Sequence, residues 1–189
     1  NTITKSYDGT DAATVSPSDV TLNGVITGDN VIVEVESAKF ASVNATSGLL
    51  IGVNVTVKLA GTDAGNYTLA ETTITGNGRI DKAAHNDTTA STSAKYGNFA
   101  TKDLTDYLPE GYKITEKTVT DNDSILADVE GGGKWIVDQS KKLWLNLDND
   151  SNKVGKTANL VLTVESTNYK NFDLIITVTV DAKTTNTMQ

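Results

Sequence analysis

The sequence predicts an all-β protein built as two tandem antiparallel β-sandwich domains. Three observations carry that reading. Apolar residues alternate with polar ones at Val53-Val55-Val57-Leu59, at Leu160-Leu162-Val164 and at Leu174-Ile176-Val178-Val180, the period-two pattern of strands with one buried face. No window sustains apolar residues at helical spacing. One arrangement also occurs twice: an alternating run, a short polar turn, an Asn-Tyr pair and a second strand, at Asn66-Tyr67 and again at Asn168-Tyr169. The repetition predicts two related domains, residues 1–83 and 84–189, the latter with a tail from about Lys183.

Composition agrees and removes several functions. The 189 residues suit two domains of about 90–100 residues, an ordinary size for sandwiches. Many Thr and Val with six Tyr favour strands over helices. The net charge is −8, shared equally: five basic and nine acidic residues through Ala83, eleven and fifteen after it. An acidic chain whose one arginine is Arg79 lacks the positive field that meets phosphates or anionic lipid, so neither nucleic acid nor direct membrane contact is expected. There is no cysteine. The chain opens on Asn1 and its one methionine is Met188, so it is expected to be a piece of a longer protein.

In order, Ile3 to Lys5 is a short strand, and Asp8-Gly9 a turn with a side-chain acceptor followed by a residue tolerant of positive φ. Ala12 to Val15 and Val20 to Val25 are short strands parted by Ser16-Pro17. Val31, Val33 and Val35 alternate in the next strand, and Phe40 closes that edge of the core. Val53 to Leu59 is the cleanest strand. The last strand, Thr72 to Ile80, carries Gly76-Asn77-Gly78 as a bulge or tight bend.

The second domain opens on Thr88, Ala90, Thr92 and Ala94 as an edge strand. Asp103 to Leu108 is one helical turn limited by Pro109. Tyr112 to Val119 and Ser124 to Val129 are strands, Gly131-Gly132-Gly133 a flexible connection. Trp135 to Val137 and Leu143 to Leu145 form a hairpin about Asp138-Gln139-Ser140-Lys141. Asp148 to Lys156 is a polar loop, and the Asn168-Tyr169 arrangement closes the domain.

Lys5-Ser6-Tyr7-Asp8-Gly9-Thr10, Ala12-Ala13-Thr14-Val15, Leu22-x-Gly24-Val25, Gly28-Asp29 and Gly61-x-Asp63-Ala64-Gly65-Asn66-Tyr67-Thr68-Leu69 follow one another. As a set they resemble the YDG repeat domain of large bacterial surface and haemagglutinin-type adhesins, across nearly all of residues 1–81. The stretch Phe40-Ala41-Ser42-Val43-Asn44-Ala45 departs from the Ala-Asp-Lys-Asn-Ala-Gly-like run usual after the Phe. The second domain resembles bacterial Ig-like modules, through Lys95-Tyr96-Gly97, Tyr107-Leu108-Pro109-Glu110-Gly111-Tyr112 and Ser166-Thr167-Asn168-Tyr169. The resemblance implies non-catalytic spacer modules of an extracellular, wall-attached protein. Their partners would be adjacent repeat domains of the same chain, and a host glycan or surface protein. It transfers no catalytic residue and no cofactor.

Among candidate sites, Tyr7, Asp8 and Gly9 with Asn66, Tyr67, Asn168 and Tyr169 are expected to be structural. Each ring would sit at the core margin with its hydroxyl on nearby backbone, as in a tyrosine corner. Trp135 and Trp144 are the binding candidates. A hairpin centred between Gln139 and Ser140 pairs Trp135 with Trp144, setting two indoles opposite each other on one face; there a neighbouring strand, a loop or the other domain covers them, or they stand open as a platform for a sugar or a protein. Ile136, Leu143, Leu145 and Leu147 would then face the core. Asp148, Asp150 and Asn152 have calcium-loop spacing, but Lys153 and Asn159 stand where an EF-hand needs Gly and Glu, so a solvated turn is expected and no metal. The single histidine, His85, cannot form a zinc site without further ligands.

Overall fold

A computed structural model describes residues 1–129 and 133–183. Gly131 and Gly132 of the expected connection, and the tail expected past Lys183, lie outside the described residues. The fold is all-β: eleven strands and three single-turn 3-10 segments, with no α-helix among the described residues. The chain divides into two compact units. One is Asn1–Ala83 with Thr167–Tyr169; the other is Ala84–Ser166 with the chain from Lys170 on.

The first unit holds β1 (Ile3–Ser6), β2 (Ile32–Phe40), β3 (Ile51–Ala60) and β4 (Thr73–Asp81). They form one sheet in the order β1-β4-β3-β2. Val53, Val55 and Val57 of β3 are buried with Val33, Phe40 and Ile80. Strand β2 needs an irregularity to contribute, because Val33 and Val35 have odd numbers and Phe40 an even one. Val35 pairs with Val57 and Ser37 with Thr56, which leaves Glu36 as an extra residue. That bulge flips the alternation and turns the Phe40 ring inward.

The expected bulge at Gly76-Asn77-Gly78 is not present. These residues pair regularly with Val53, Gly52 and Ile51. Gly78 serves close approach: a Cβ there would stand 2.4 Å from Val53 Cγ2 and 2.6 Å from Phe40 Cε1. The strands expected at Ala12–Val15 and Val20–Val25 are also absent. A single bridge joins Ala12 to Lys39, a 3-10 turn covers Pro17–Asp19, and the rest is irregular chain. Ala13, Val15, Val20 and Leu22 still pack on the core, so this segment covers the sheet by side chains without a ladder of its own.

The second unit holds β5 (Thr88–Lys95), β6 (Phe99–Asp103), β7 (Lys113–Thr120), β8 (Trp135–Val137), β9 (Lys142–Asn146), β10 (Thr157–Glu165) and β11 (Phe172–Asp181). One sheet runs β5-β11-β10-β7 and the other β6-β9-β8. Leu160, Leu162, Leu174 and Ile176 of the first belong to the same buried cluster as Ala100, Leu143 and Leu145 of the second. Strand β6 escapes sequence reading, since Phe99-Ala100-Thr101 is short and its phenylalanine faces outward. The expected strand at Ser124–Val129 is reduced to a bridge between Leu126 and Leu147. There the buried Asp121 carboxylate accepts the Ile125 and Leu126 N–H groups at 2.7 and 3.0 Å, bonds a strand partner would otherwise take. The expected helical turn is a single one, with Leu108 N donating to Leu104 O.

Both units share one device. The first strand lies beside the last and runs parallel to it: β1 against β4 from Ile3↔Gly78 to Ser6↔Asp81, and β5 against β11 from Thr88↔Leu174 to Lys95↔Asp181. In each, the next residue is a tyrosine whose N–H donates to an aspartate carbonyl, Tyr7 to Asp81 at 2.8 Å and Tyr96 to Asp181 at 3.4 Å. Lys5-Ser6-Tyr7 and Lys95-Tyr96 therefore stand at the same place in their units, where the first strand ends beside the last.

Candidate functional site

The turn after β1 is organised by one carboxylate and one ammonium. Gly9 takes φ +81°, and Asp8 Oδ1 accepts from Thr10 N and Thr10 Oγ1, both at 2.9 Å. Lys5 Nζ then closes the turn. It donates to Asp8 Oδ1 at 2.7 Å, Thr10 O at 2.8 Å, Thr10 Oγ1 at 3.0 Å and Ala12 O at 3.1 Å. The Lys5 ammonium and the Thr10 N–H and hydroxyl hold the Asp8 carboxyl down at about 2. Lys5→Met keeps the stem and removes the charge. It is expected to lower the first unit's melting temperature by roughly 5–10 °C, because several oxygens lose a charged donor at once; calorimetry reads this directly.

Tyr67 holds a second loop. Its hydroxyl accepts from Ile26 N at 3.1 Å and donates to Asp29 Oδ2 at 2.6 Å. The Asp29 bond raises the phenol pKa, which keeps the donor proton in place. Asp63 Oδ2 accepts from Asn30 N at 2.8 Å on the far side of the same loop. Asn66 is exposed at the end of a 3-10 turn.

The second Asn-Tyr pair sits elsewhere than the sequence suggests. Thr167–Tyr169 group with the first unit and do not close the second. Tyr169 bridges to Ala83 and meets the Tyr7 ring edge-on, centroids 5.5 Å apart at 81°. Asn168 Oδ1 accepts from Ala45 N at 2.9 Å, its Nδ2 donates to Asn44 Oδ1 at 3.1 Å, and its carbonyl accepts from Ala83 N at 3.0 Å. Asn44 and Ala45 lie in the loop between β2 and β3. The two Asn-Tyr pairs occupy the same place in order, before the last strand, and bind different things.

The tryptophan hairpin is shifted by one residue from its expected register. Trp135 faces Leu145, Ile136 faces Trp144 and Val137 faces Leu143. The loop is closed by Asp138 N donating to Lys142 O and Lys141 N donating to Asp138 O, with Lys141 at φ +62°. A one-residue slip moves one strand's side chains to the other face. The two indoles are therefore on opposite faces and form no joint platform. Trp135 packs against the buried cluster under the Lys117 ammonium, 4.8 Å from its ring centre. Ile136, expected in the core, is 46% exposed. Trp144 lies on the outer face, edge-on to Phe99 at 6.2 Å, with Lys142 Nζ 4.4 Å above its ring.

Asp138 selects this register. Its carboxylate accepts from Ser140 Oγ at 2.6 Å, Ser140 N at 2.9 Å, Lys142 N at 3.0 Å and the Trp144 indole at 2.9 Å. Those bonds, the serine hydroxyl first and the indole next, bring its pKa down to about 2. Asp8 and Asp138 thus both stand below their ordinary 3.8 when folded. Their contribution to stability is fully present above about pH 4 and is lost as pH falls toward about 2. Melting temperature followed downward through that window is expected to drop, and the double variant Asp8→Asn/Asp138→Asn to drop less steeply.

The calcium-like run is neutralised from within. Lys153, at its sixth position, sets its ammonium on Asp148 Oδ2 and on Ser124 O at 2.6 Å. Asp150 Oδ1 caps the next turn by accepting from Asn152 N at 2.9 Å. Lys153 lowers the Asp148 pKa. Among the described residues no three His, Cys, Asp or Glu side chains are grouped to hold a metal ion. His85 stacks on Phe172 at 3.8 Å between ring centres.

The Lys5–Thr10 clasp and the Tyr67 loop tie both lie in the first unit. Residues 1–75 match the YDG domain. The YDG segment thus contains both the clasp and the tie, and ends within β4. No curated protein matches the chain. Among solved structures the chain is similar to the I-band fragment I67-I69 from titin, at 9% identity and a TM-score of 0.30, over 84% of this chain. It spans 57% of the length of that fragment.

Proposed function

We propose that both units are non-catalytic spacer modules of a bacterial cell-surface adhesin, carried outside the cell by a wall-attached parent. They would extend or present a binding region. In this reading both are Ig-like sandwiches in the broad sense, the first with an irregular second layer. One observation carries it: first and last strands are parallel neighbours in both units. A chain entering on the first strand leaves from the opposite end of the sheet. Each such module therefore advances the chain along its strands, which is what a spacer requires. The YDG segment supports the surface setting through the family it resembles.

The test exchanges the two units, within the parent, for unrelated β-modules of equal residue number. Adhesion retained on exchange but lost on deletion supports the spacer. Loss on exchange would show that the units bind for themselves. Cell-surface labelling of intact cells tests location.

A second reading, a carbohydrate- or protein-binding module, rests on the outer face of β6-β9-β8. Phe99 is 52% exposed beside Trp144, and Ile136 stands across from it. Trp135 drops out because it faces inward. A glycan array with Trp144→Ala as control separates this reading from the first.

A further inference from the structure

The two parallel first-to-last pairs differ in length, and tension would act on that difference. The β1/β4 register covers four residue pairs, Ile3↔Gly78 to Ser6↔Asp81. The β5/β11 register covers eight, Thr88↔Leu174 to Lys95↔Asp181. Pulling the chain ends apart drags each first strand lengthwise against its parallel last strand. Every bond of that ladder is then loaded in shear together, since none can open without its neighbours. Were the strands antiparallel, their loaded ends would lie at the same edge and open one bond at a time.

We propose that the chain is a two-stage tension element, in which the first unit yields before the second. The inference rests on the spacer reading for its purpose, since a spacer between cell and partner carries the load of attachment. The shorter ladder has two reinforcements, the Tyr7 N–H to Asp81 and the Lys5 clasp on the turn beyond. Neither adds a paired strand residue. In both units the first strand also packs on its buried cluster, through Ile3 of β1 in the first and through Ala90 and Ala94 of β5 in the second, so what sets the second apart is twice the register. An adhesion tether so built would lengthen at moderate load through one unit while the other kept its fold.

Single-molecule stretching of the whole chain, held at both ends, tests this. Two events are expected. The first releases roughly 24 nm, the extended length of Ile3–Asp81 less its folded span, and the second roughly 29 nm from Thr88–Asp181. The second force is expected to be roughly twofold higher, following the register lengths. In Thr4→Cys/Arg79→Cys, which sit opposite each other, an oxidised cross-link removes the shorter event and reduction restores it. The longer event coming first, or both at one force in either order, overturns the proposal. Adhesion after module exchange tests the spacer reading separately, so each fails by itself.

Discussion

Gly78→Ala unfolds the first unit at a temperature where the second remains intact. The added methyl group has nowhere to go. Its carbon would lie 2.4 Å from Val53 Cγ2, 2.6 Å from Phe40 Cε1 and 3.0 Å from the Ile3 carbonyl. Val53 and Phe40 are buried, and Phe40 is turned inward by the Glu36 bulge, so neither can withdraw without opening the small core. Ile3 is held in the β1/β4 ladder. Overpacking of this kind costs about 1–3 kcal/mol and occasionally more, in a unit of a size where each kcal/mol moves the midpoint by about 4–8 °C. Both tryptophans, Trp135 and Trp144, lie in the second unit. Their fluorescence should therefore keep its normal midpoint while calorimetry shows an early, separate transition. Gly76→Ala is the control, because nothing lies within 4 Å of the place its methyl carbon would take. Equal effects of the two substitutions would show that backbone freedom, and not close approach, explains Gly78.

Leu160→Ala has the larger expected effect, in the other unit. Leu160 is wholly buried on β10, in the middle of its sheet, opposite Ile176 on one side and Val119 on the other. Truncation of such a leucine costs about 2–5 kcal/mol, part from lost burial and part from the cavity that neighbours cannot close. The tryptophan midpoint is expected to fall by on the order of 10 °C or more, and the first unit's transition to stay where it is. Leu160→Met, close in volume, should cost less than about 1.5 kcal/mol. If Leu160→Ala lowered both transitions together, the units would be melting as one body.

Where a rule is local, the sequence can be read. Val53 to Leu59 and Leu174 to Val180 alternate so strictly that only one face can be buried, and both lie inside observed strands. Asp8-Gly9 announces its turn, since an aspartate acceptor and a residue able to take positive φ are features of the two residues themselves. The parity change between Val35 and Phe40 is present in the sequence, but only the paired strand shows that a bulge at Glu36 absorbs it. The Lys5 clasp is not legible, because a lysine near a turn has no marked partner until the chain folds back.

The candidate platform at Trp135 and Trp144 turns on one residue of register. The spacing of the two strands permits more than one loop length. The folded chain takes the one in which Asp138 accepts from Ser140, Lys142 and the indole of Trp144. The two indoles then separate onto opposite faces. The Asn168-Tyr169 pair shows the same limit: its repetition is in the sequence, and its place beside Tyr7 and Ala45 is not.

By itself the sequence determined that the protein is all-β, where its most regular strands run, which of their faces are apolar and which turns they enter. It did so because alternation and turn chemistry are fixed over a few neighbouring residues. The tertiary structure alone decided that each unit closes with its first strand parallel to its last. It also decided that the tryptophans part company, that Gly78 clears room for Phe40, and that a lysine ammonium sits on the Asp148 loop. Each of these depends on groups distant in the chain competing for one space or one hydrogen-bond acceptor, and such a competition is settled only when all of them are present together.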